Sequence, residues 1–170
     1  LSFRSLLYGM LLNSGNDAAY TIAQNYSGGL DAFVVAMNNK AISLGLLNTH
    51  FTNPAGFDSL GHYSSAEDLA KIATIAIENP QLSRVVSTKE TSVASIDKST
   101  IHSLKNLNKL LDEPGVLGIK TGTTPLAREN LVGLVERNGH KILTVVLGSN
   151  DRFGETNKLL DWTYSNFVWK

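Results

Sequence analysis

The chain has 170 residues, a length suited to one compact domain. Lys plus Arg number 15 and Asp plus Glu number 15, so the formal net charge is zero, without the basic excess of a nucleic-acid binder. Charged residues at 18% and apolar ones at 42% exclude an intrinsically disordered chain, and the absence of Cys excludes disulfides, thiolate catalysis and cysteine-ligated metal sites. No uncharged apolar run approaches the ~18 residues of a membrane span.

Helical signals fill the first half. Leu6, Leu7, Met10 and Leu11 form a stripe within a dozen residues of the start. The first residue is Leu1, and an apolar stripe so near it raises the expectation that this is the later part of a longer chain. Ala18, Ala19, Ile22, Ala23 and Tyr26 make a second stripe, stopped by Ser27-Gly28-Gly29. Leu30, Phe33, Val34, Met37, Ala41 and Leu44 make a third, ended by Gly45. Residues 46–64 read as a long loop broken by Asn53-Pro54, Gly56 and Gly61. Ser64 with Glu67, or Ser65 with Asp68, offers a capping box for a helix carrying Leu69, Ile72, Ala73 and Ala76, closed by Asn79-Pro80.

The second half reads as strands. Residues 131–136 and 141–147 are rich in Val, Leu and Ile, with the hairpin signal Asn138-Gly139 between them. Residues 116–119 form a further short apolar segment leading into Lys120-Thr121-Gly122. A last helix carries Thr156, Leu159, Leu160, Thr163 and Phe167 on one face, better suited to covering a core than to anchoring in a membrane. Helices, then antiparallel strands, then a closing helix predict an α+β architecture.

Two short motifs bear chemistry: Ser14-Gly15-Asn16 between two helices, and Lys120-Thr121-Gly122 at the end of a strand. With 16 Ser and 15 Asn in the chain, about 1.4 S-x-N triplets arise by accident, so that triplet carries no weight alone. With 10 Lys, 13 Thr and 14 Gly, only about 0.06 K-T-G triplets are expected. Taken singly, Ser14 reads as the N-cap of the helix beginning near Asn16, and Lys120 as a solvated strand-end lysine. The four histidines, His50, His62, His102 and His140, show no metal-ligand spacing, and His62 reads as a turn residue before the Ser64 helix.

The context of the motifs resembles the penicillin-binding D-alanyl-D-alanine carboxypeptidases. The stretch 6–19 around Ser14 is similar to the family's S-x-N region, 48–56 to a following loop, and 61–70 to the next helix start. Segments 106–111 and 118–124 complete the pattern in the family's order, spanning nearly the whole chain. The resemblance implies a penicillin-binding, serine β-lactamase-like α+β fold, with residues 1–170 as a single partial transpeptidase-like domain. It also implies a serine nucleophile and lysine base in an S-x-x-K motif upstream of S-x-N. The one S-x-x-K string, Ser95-Ile96-Asp97-Lys98, lies between the other two motifs and reads as accidental, so the nucleophile segment is expected to be absent from this chain.

By that resemblance Ser14 relays a proton, Asn16 holds the substrate amide and the absent lysine, and Lys120 supplies a fixed positive charge. The Thr121 or the Thr123 hydroxyl binds the terminal carboxylate, Gly122 lets a substrate backbone approach, and the Thr123 N–H serves as one oxyanion donor. No metal or cofactor is implied. The expected partners are a peptidoglycan stem peptide or a β-lactam, together with the missing N-terminal segment of the same protein. No nucleic acid is expected, and contact with a membrane only through segments outside this chain. The expected location is extracytoplasmic, reached by a signal peptide not present here, and the fragment alone is expected to be inactive. Arg128 stands where the family commonly has a small residue, which bears on the rim of the site. Two alternatives stay open. One is a serine β-lactamase of the same fold, for which Asp58 and Glu67 are the nearest deacylating carboxylates; the other is a noncatalytic cell-wall peptide-binding module.

Overall fold

The computed structural model describes residues 1–169. Helix α1 (Phe3–Leu12) starts where the Ser2 side chain accepts from the Ser5 N–H, and it buries Leu12 completely. After a three-residue turn α2 (Asn16–Gln24) begins, and α3 (Gly29–Ser43) follows a left-handed Gly28. A long loop leads to α4 (Ala66–Glu78), whose N-cap is Ser65, accepting from the Asp68 N–H. Of the two candidate capping pairs, the structure uses Ser65 with Asp68.

Asn79-Pro80 does more than stop α4. The Asn79 side chain accepts from the N–H groups of Gln81 and Leu82 and opens a second helix, α5 (Pro80–Val86), with Pro80 in its first turn. Beyond it, β1 (Glu90–Ala94) and β2 (Ile101–Lys105) form an antiparallel hairpin that the sequence reading did not anticipate. Its strands are short and polar, with one buried residue, Leu104, so the periodic signal is weak. The string Ser95–Lys98 falls at the hairpin's tip, where Lys98 is left-handed. There the Ser95 hydroxyl donates to Asp97 Oδ1 at 2.5 Å rather than pairing with Lys98. The accidental reading of that string fits this turn.

The main sheet is antiparallel, in the order β3 (Val116–Thr124), β4 (Arg128–Arg137), β5 (His140–Ser149). Arg137 pairs with His140 across Asn138 and Gly139, both at positive φ, as a two-residue hairpin requires. Lys120, Thr121 and Gly122 lie inside β3, not at the end of a strand: the segment continues through Thr124 because each residue finds a β4 partner. Helix α6 (Arg152–Asn166) packs on β4 and β5 through the buried Thr156 and Leu160. Phe167 lies beyond the helix and is exposed, so the predicted apolar face is shorter than the spacing implied.

Alternation along β4 makes the sheet a middle layer. Val132 and Leu134 pack with Ala73 of α4, Val86 of α5 and Ile119 of β3. Gly133 points the other way: a Cβ there would stand 2.8 Å from Thr144 Oγ1 and 3.7 Å from Thr156 Cγ2 of α6. A second apolar cluster joins Leu12, Val85 and Leu104, and Leu11 packs against both clusters.

The long loop is held by one buried carboxylate. Asp68, 2% exposed, accepts from the Asn48 N–H and the Thr49 hydroxyl, each at 2.8 Å. Replacing Asp68 with Ala strands two donors below the surface and is expected to lower the unfolding free energy by about 2–3 kcal/mol. Replacing its neighbour Glu67, an exposed partner of Lys71 at 2.9 Å, is expected to leave the urea midpoint almost unchanged. Equal losses for the two variants in urea unfolding would contradict this division.

Candidate active site

A cleft of about 420 Å³ opens where the α1–α2 turn, the long loop and β3 meet. Its lining contains Ser14, Lys120, Thr121, Gly122 and Thr123, five of the six residues singled out from the sequence. Their convergence follows from packing. Leu11, three residues before Ser14, sits against the same apolar cluster as Ile119, the neighbour of Lys120.

Ser14 takes a left-handed conformation, φ 54°, in the tight turn between α1 and α2. Gly15 is needed beside it: its N–H donates to Gly9 O at 3.0 Å, and a Cβ on Gly15 would stand 3.0 Å from that same oxygen. The N-cap of α2 is Gly15, without a side-chain bond, so the capping role considered for Ser14 is overturned. The Ser14 hydroxyl accepts instead from Lys120 Nζ, across 106 positions of sequence. Lys120 Nζ also donates to Thr121 O at 2.8 Å. The solvated strand-end reading of Lys120 fails with it, because the ammonium is largely withdrawn from water. That burial, reinforced by the positive charge of Arg152, lowers its pKa to about 8.

Asn16 is the sixth residue, and the structure does not bring it into the cleft wall. It opens α2 with its side chain exposed.

Arg152, the first residue of α6, was not legible in the sequence. Its Nη1 donates to Gly122 O at 2.9 Å and to Thr123 Oγ1 at 2.5 Å, and its guanidinium lies over the Phe153 ring at 4.9 Å. Thirty positions separate it from Gly122, and no local pattern marks it. Arg128, by contrast, points to Asn150 Oδ1 and is absent from the cleft lining.

The far wall is the loop segment Pro54, Ala55, Gly56 and Phe57. The Asn53 side-chain Oδ1 accepts from the N–H groups of Ala55, Gly56 and Phe57 at 3.2, 2.8 and 3.0 Å, folding the segment into a tight turn. Asp58 ties it to the sheet, accepting from the Thr124 hydroxyl at 2.6 Å and the Leu126 N–H at 3.1 Å. Among the described residues no carboxylate lines the cleft. Its lining cation Lys120, its hydroxyls and an edge strand suit an extended ligand ending in an anion.

Residues 1–151 match the D-alanyl-D-alanine carboxypeptidase family. The chain is 35% identical over 179 aligned positions to a D-alanyl-D-alanine carboxypeptidase of Streptomyces sp. strain K15, covering 97% of this chain and 62% of that protein. It is 35% identical to the D-alanyl-D-alanine carboxypeptidase DacF of Bacillus subtilis, covering 98% of this chain and 44% of that protein. The crystal structure of the Streptomyces K15 DD-transpeptidase superposes with a TM-score of 0.89 at 35% identity, covering 95% of this chain and 67% of that one. A penicillin-binding protein homologue from Mycobacterium tuberculosis gives a TM-score of 0.89 at 34% identity, covering 100% of this chain and 67% of that one. The chain thus spans 62% and 44% of the length of these two curated relatives. Its fold is the α+β fold of the penicillin-binding DD-peptidases, and the chain belongs to the D-alanyl-D-alanine carboxypeptidase family.

Proposed function

We propose that this chain forms the proton-relay and carboxylate-binding half of a serine D-alanyl-D-alanine carboxypeptidase site that cleaves peptidoglycan stem peptides outside the cytoplasm and is acylated by β-lactams. The observation that carries the reading is the contact between Lys120 Nζ and the Ser14 hydroxyl, joining two motifs of one family in one cleft.

The acyl-accepting serine and its lysine base would come from an S-x-x-K segment, since the only such string here is the tip of the β1–β2 hairpin. That serine oxygen attacks the carbonyl between the two D-alanines while its proton passes to the neutral lysine. The tetrahedral oxyanion is held by backbone N–H groups, that of Thr123 among them. Ser14 hands a proton to the leaving nitrogen, the C–N bond breaks, and D-alanine departs. Water then hydrolyses the ester. Lys120 and Arg152, with the hydroxyls of Thr121 and Thr123, hold the terminal carboxylate. Asn16, outside the wall seen here, would act on the side of the incoming nucleophile segment.

A β-lactamase would need a deacylating carboxylate at the cleft. Asp58 is engaged by Thr124 and Leu126, and Glu67 pairs with Lys71 on an exposed face, so neither serves. A noncatalytic peptide-binding module is the reading left standing should covalent chemistry prove absent.

The test is labelling of the intact protein with a fluorescent penicillin, with peptide mapping and an assay of D-alanine release from a peptide ending in D-Ala-D-Ala. The label is expected on the serine of an S-x-x-K segment other than Ser95. Ser14→Ala and Lys120→Ala are each expected to slow acylation by about 10²–10³-fold. Label at Ser95, or undiminished rates in Lys120→Ala, would contradict the reading.

Lys120 also sets a pH dependence. Below about 8 its Nζ is an ammonium and above it an amine, so binding of a carboxylate weakens as the pH rises through that value. Carbon-detected NMR of the Lys120 side chain is expected to show a midpoint near 8. Arg152→Leu is expected to raise that midpoint without restoring the ordinary value of 10.5, because burial is the larger cause. A midpoint at the ordinary value in the parent would show that the ammonium is not withdrawn from water.

A further inference from the structure

Two histidines of the long loop take opposite hydrogen-bonding roles, and one of them lies at the base of the cleft's far wall. His50 Nδ1 faces the Gly61 carbonyl at 2.7 Å, and a carbonyl only accepts, so this nitrogen carries a proton. His62 Nδ1 faces the Thr52 N–H at 3.1 Å, and a backbone N–H only donates, so this nitrogen is bare and the ring's proton is on Nε2. Asn53 Nδ2, a second donor, stands 3.4 Å from the same His62 nitrogen, and Thr52 Oγ1 stands 3.3 Å away. The acceptor on His62 therefore lies directly under Thr52 and Asn53, and Asn53 organises the Ala55–Phe57 turn through three backbone bonds.

We propose that His62 is a positioning residue for the Pro54–Phe57 wall of the cleft, and that its protonation releases the wall. A proton on His62 Nδ1 turns an acceptor into a donor: the Thr52 N–H and the Asn53 amide lose their acceptor and must move away, and of the three facing groups only the Thr52 hydroxyl can still take the bond. Protonation of His50 has no such effect, because its Nδ1 already donates. Regulation of catalysis by this device rests on the functional reading given above; the response of the loop does not.

The surroundings favour the neutral ring at neutral pH. Burial lowers the pKa of His62 from its ordinary 6.5, and repulsion from His50 adds to this, while the Asp58 carboxylate opposes it. Those two are the charged or titratable groups that act on it. Phe51 packs edge-on against the ring at 5.8 Å, and α3 reaches this region through neutral Asn38, which exchanges hydrogen bonds with the Phe51 backbone. A folded-state pKa below the unfolded one means that the loop's stabilisation by His62 is complete above about 6.5 and is lost as the pH falls through the lower, folded value.

The experiment is hydrogen exchange by mass spectrometry on the intact protein at pH 7.5 and 5.5, corrected for the intrinsic pH dependence of exchange. Peptides covering residues 52–58 are expected to exchange about tenfold faster at the lower pH, with α6 unchanged. In His62→Asn the carboxamide oxygen takes the place of Nδ1 as an acceptor that does not titrate, so residues 52–58 stay protected at both values. His50→Asn keeps a donor toward Gly61 O and retains the acid response, with its midpoint moved upward by loss of the repulsion. Equal acid responses in parent and His62→Asn would overturn the proposal, as would a response abolished by His50→Asn alone. Loss of penicillin acylation at every pH, with the exchange pattern intact, would count against the catalytic reading and leave the role of His62 standing.

Discussion

One contact across the molecule organises the site: a partly buried ammonium on β3 set against a hydroxyl in the turn between α1 and α2. Neither partner is fixed by its own neighbourhood. Ser14 is held in a left-handed conformation because Gly15 lets the backbone close on Gly9, and because Leu11 and Leu12 anchor the end of α1 in two apolar clusters. Lys120 is held because Ile119 belongs to the first of those clusters, beside Val86 of α5 and Leu134 of β4. The hydrophobic core is therefore the jig of the site. A cavity opened at Ile119 or Leu11 would move the ammonium or the hydroxyl before it unfolded the chain.

Charge then gives the cleft its sign. Lys120 lines a cleft in which no carboxylate stands among the described residues, and Arg152, outside that lining, bonds to the lining residues Gly122 and Thr123. Each keeps its charge among neutral acceptors, Thr121 O for the one and Gly122 O with Thr123 Oγ1 for the other. Burial and repulsion from Arg152 act together on Lys120, and an anion bound beside its ammonium offsets both. Electrostatic work of this kind favours a ligand that ends in a carboxylate over a neutral one.

Much of this was legible in the sequence, and the reasons for the exceptions are physical. The helices around Leu6, Ala18, Leu30 and Leu69 were plain because each carries apolar residues at helical spacing, and the Asn138-Gly139 hairpin because its turn needs two positive φ values. The motif order around Ser14 and Lys120 pointed to the family that the comparisons show. The β1–β2 hairpin was not visible, since its polar, half-exposed strands carry no clean alternation. Helix α5 was hidden because Asn79-Pro80 reads equally as a stop and a start. Arg152 was missed because its role exists only once α6 is docked on the sheet and its guanidinium reaches β3. The same holds for Asp58, read as a loop residue, which ties the loop to the far end of β3.

The central claim is that Ser14 and Lys120 work as one unit, and a double-mutant cycle on the rate of penicillin acylation tests it most directly. Rates would be measured for the intact protein, for Ser14→Ala, for Lys120→Ala and for the double variant. Strong coupling is predicted: removing the second group after the first costs far less than removing it alone, with an interaction energy of about 1–3 kcal/mol. Additive losses, with a double variant slowed by the product of the two single effects, would show that the groups act independently and would contradict the account.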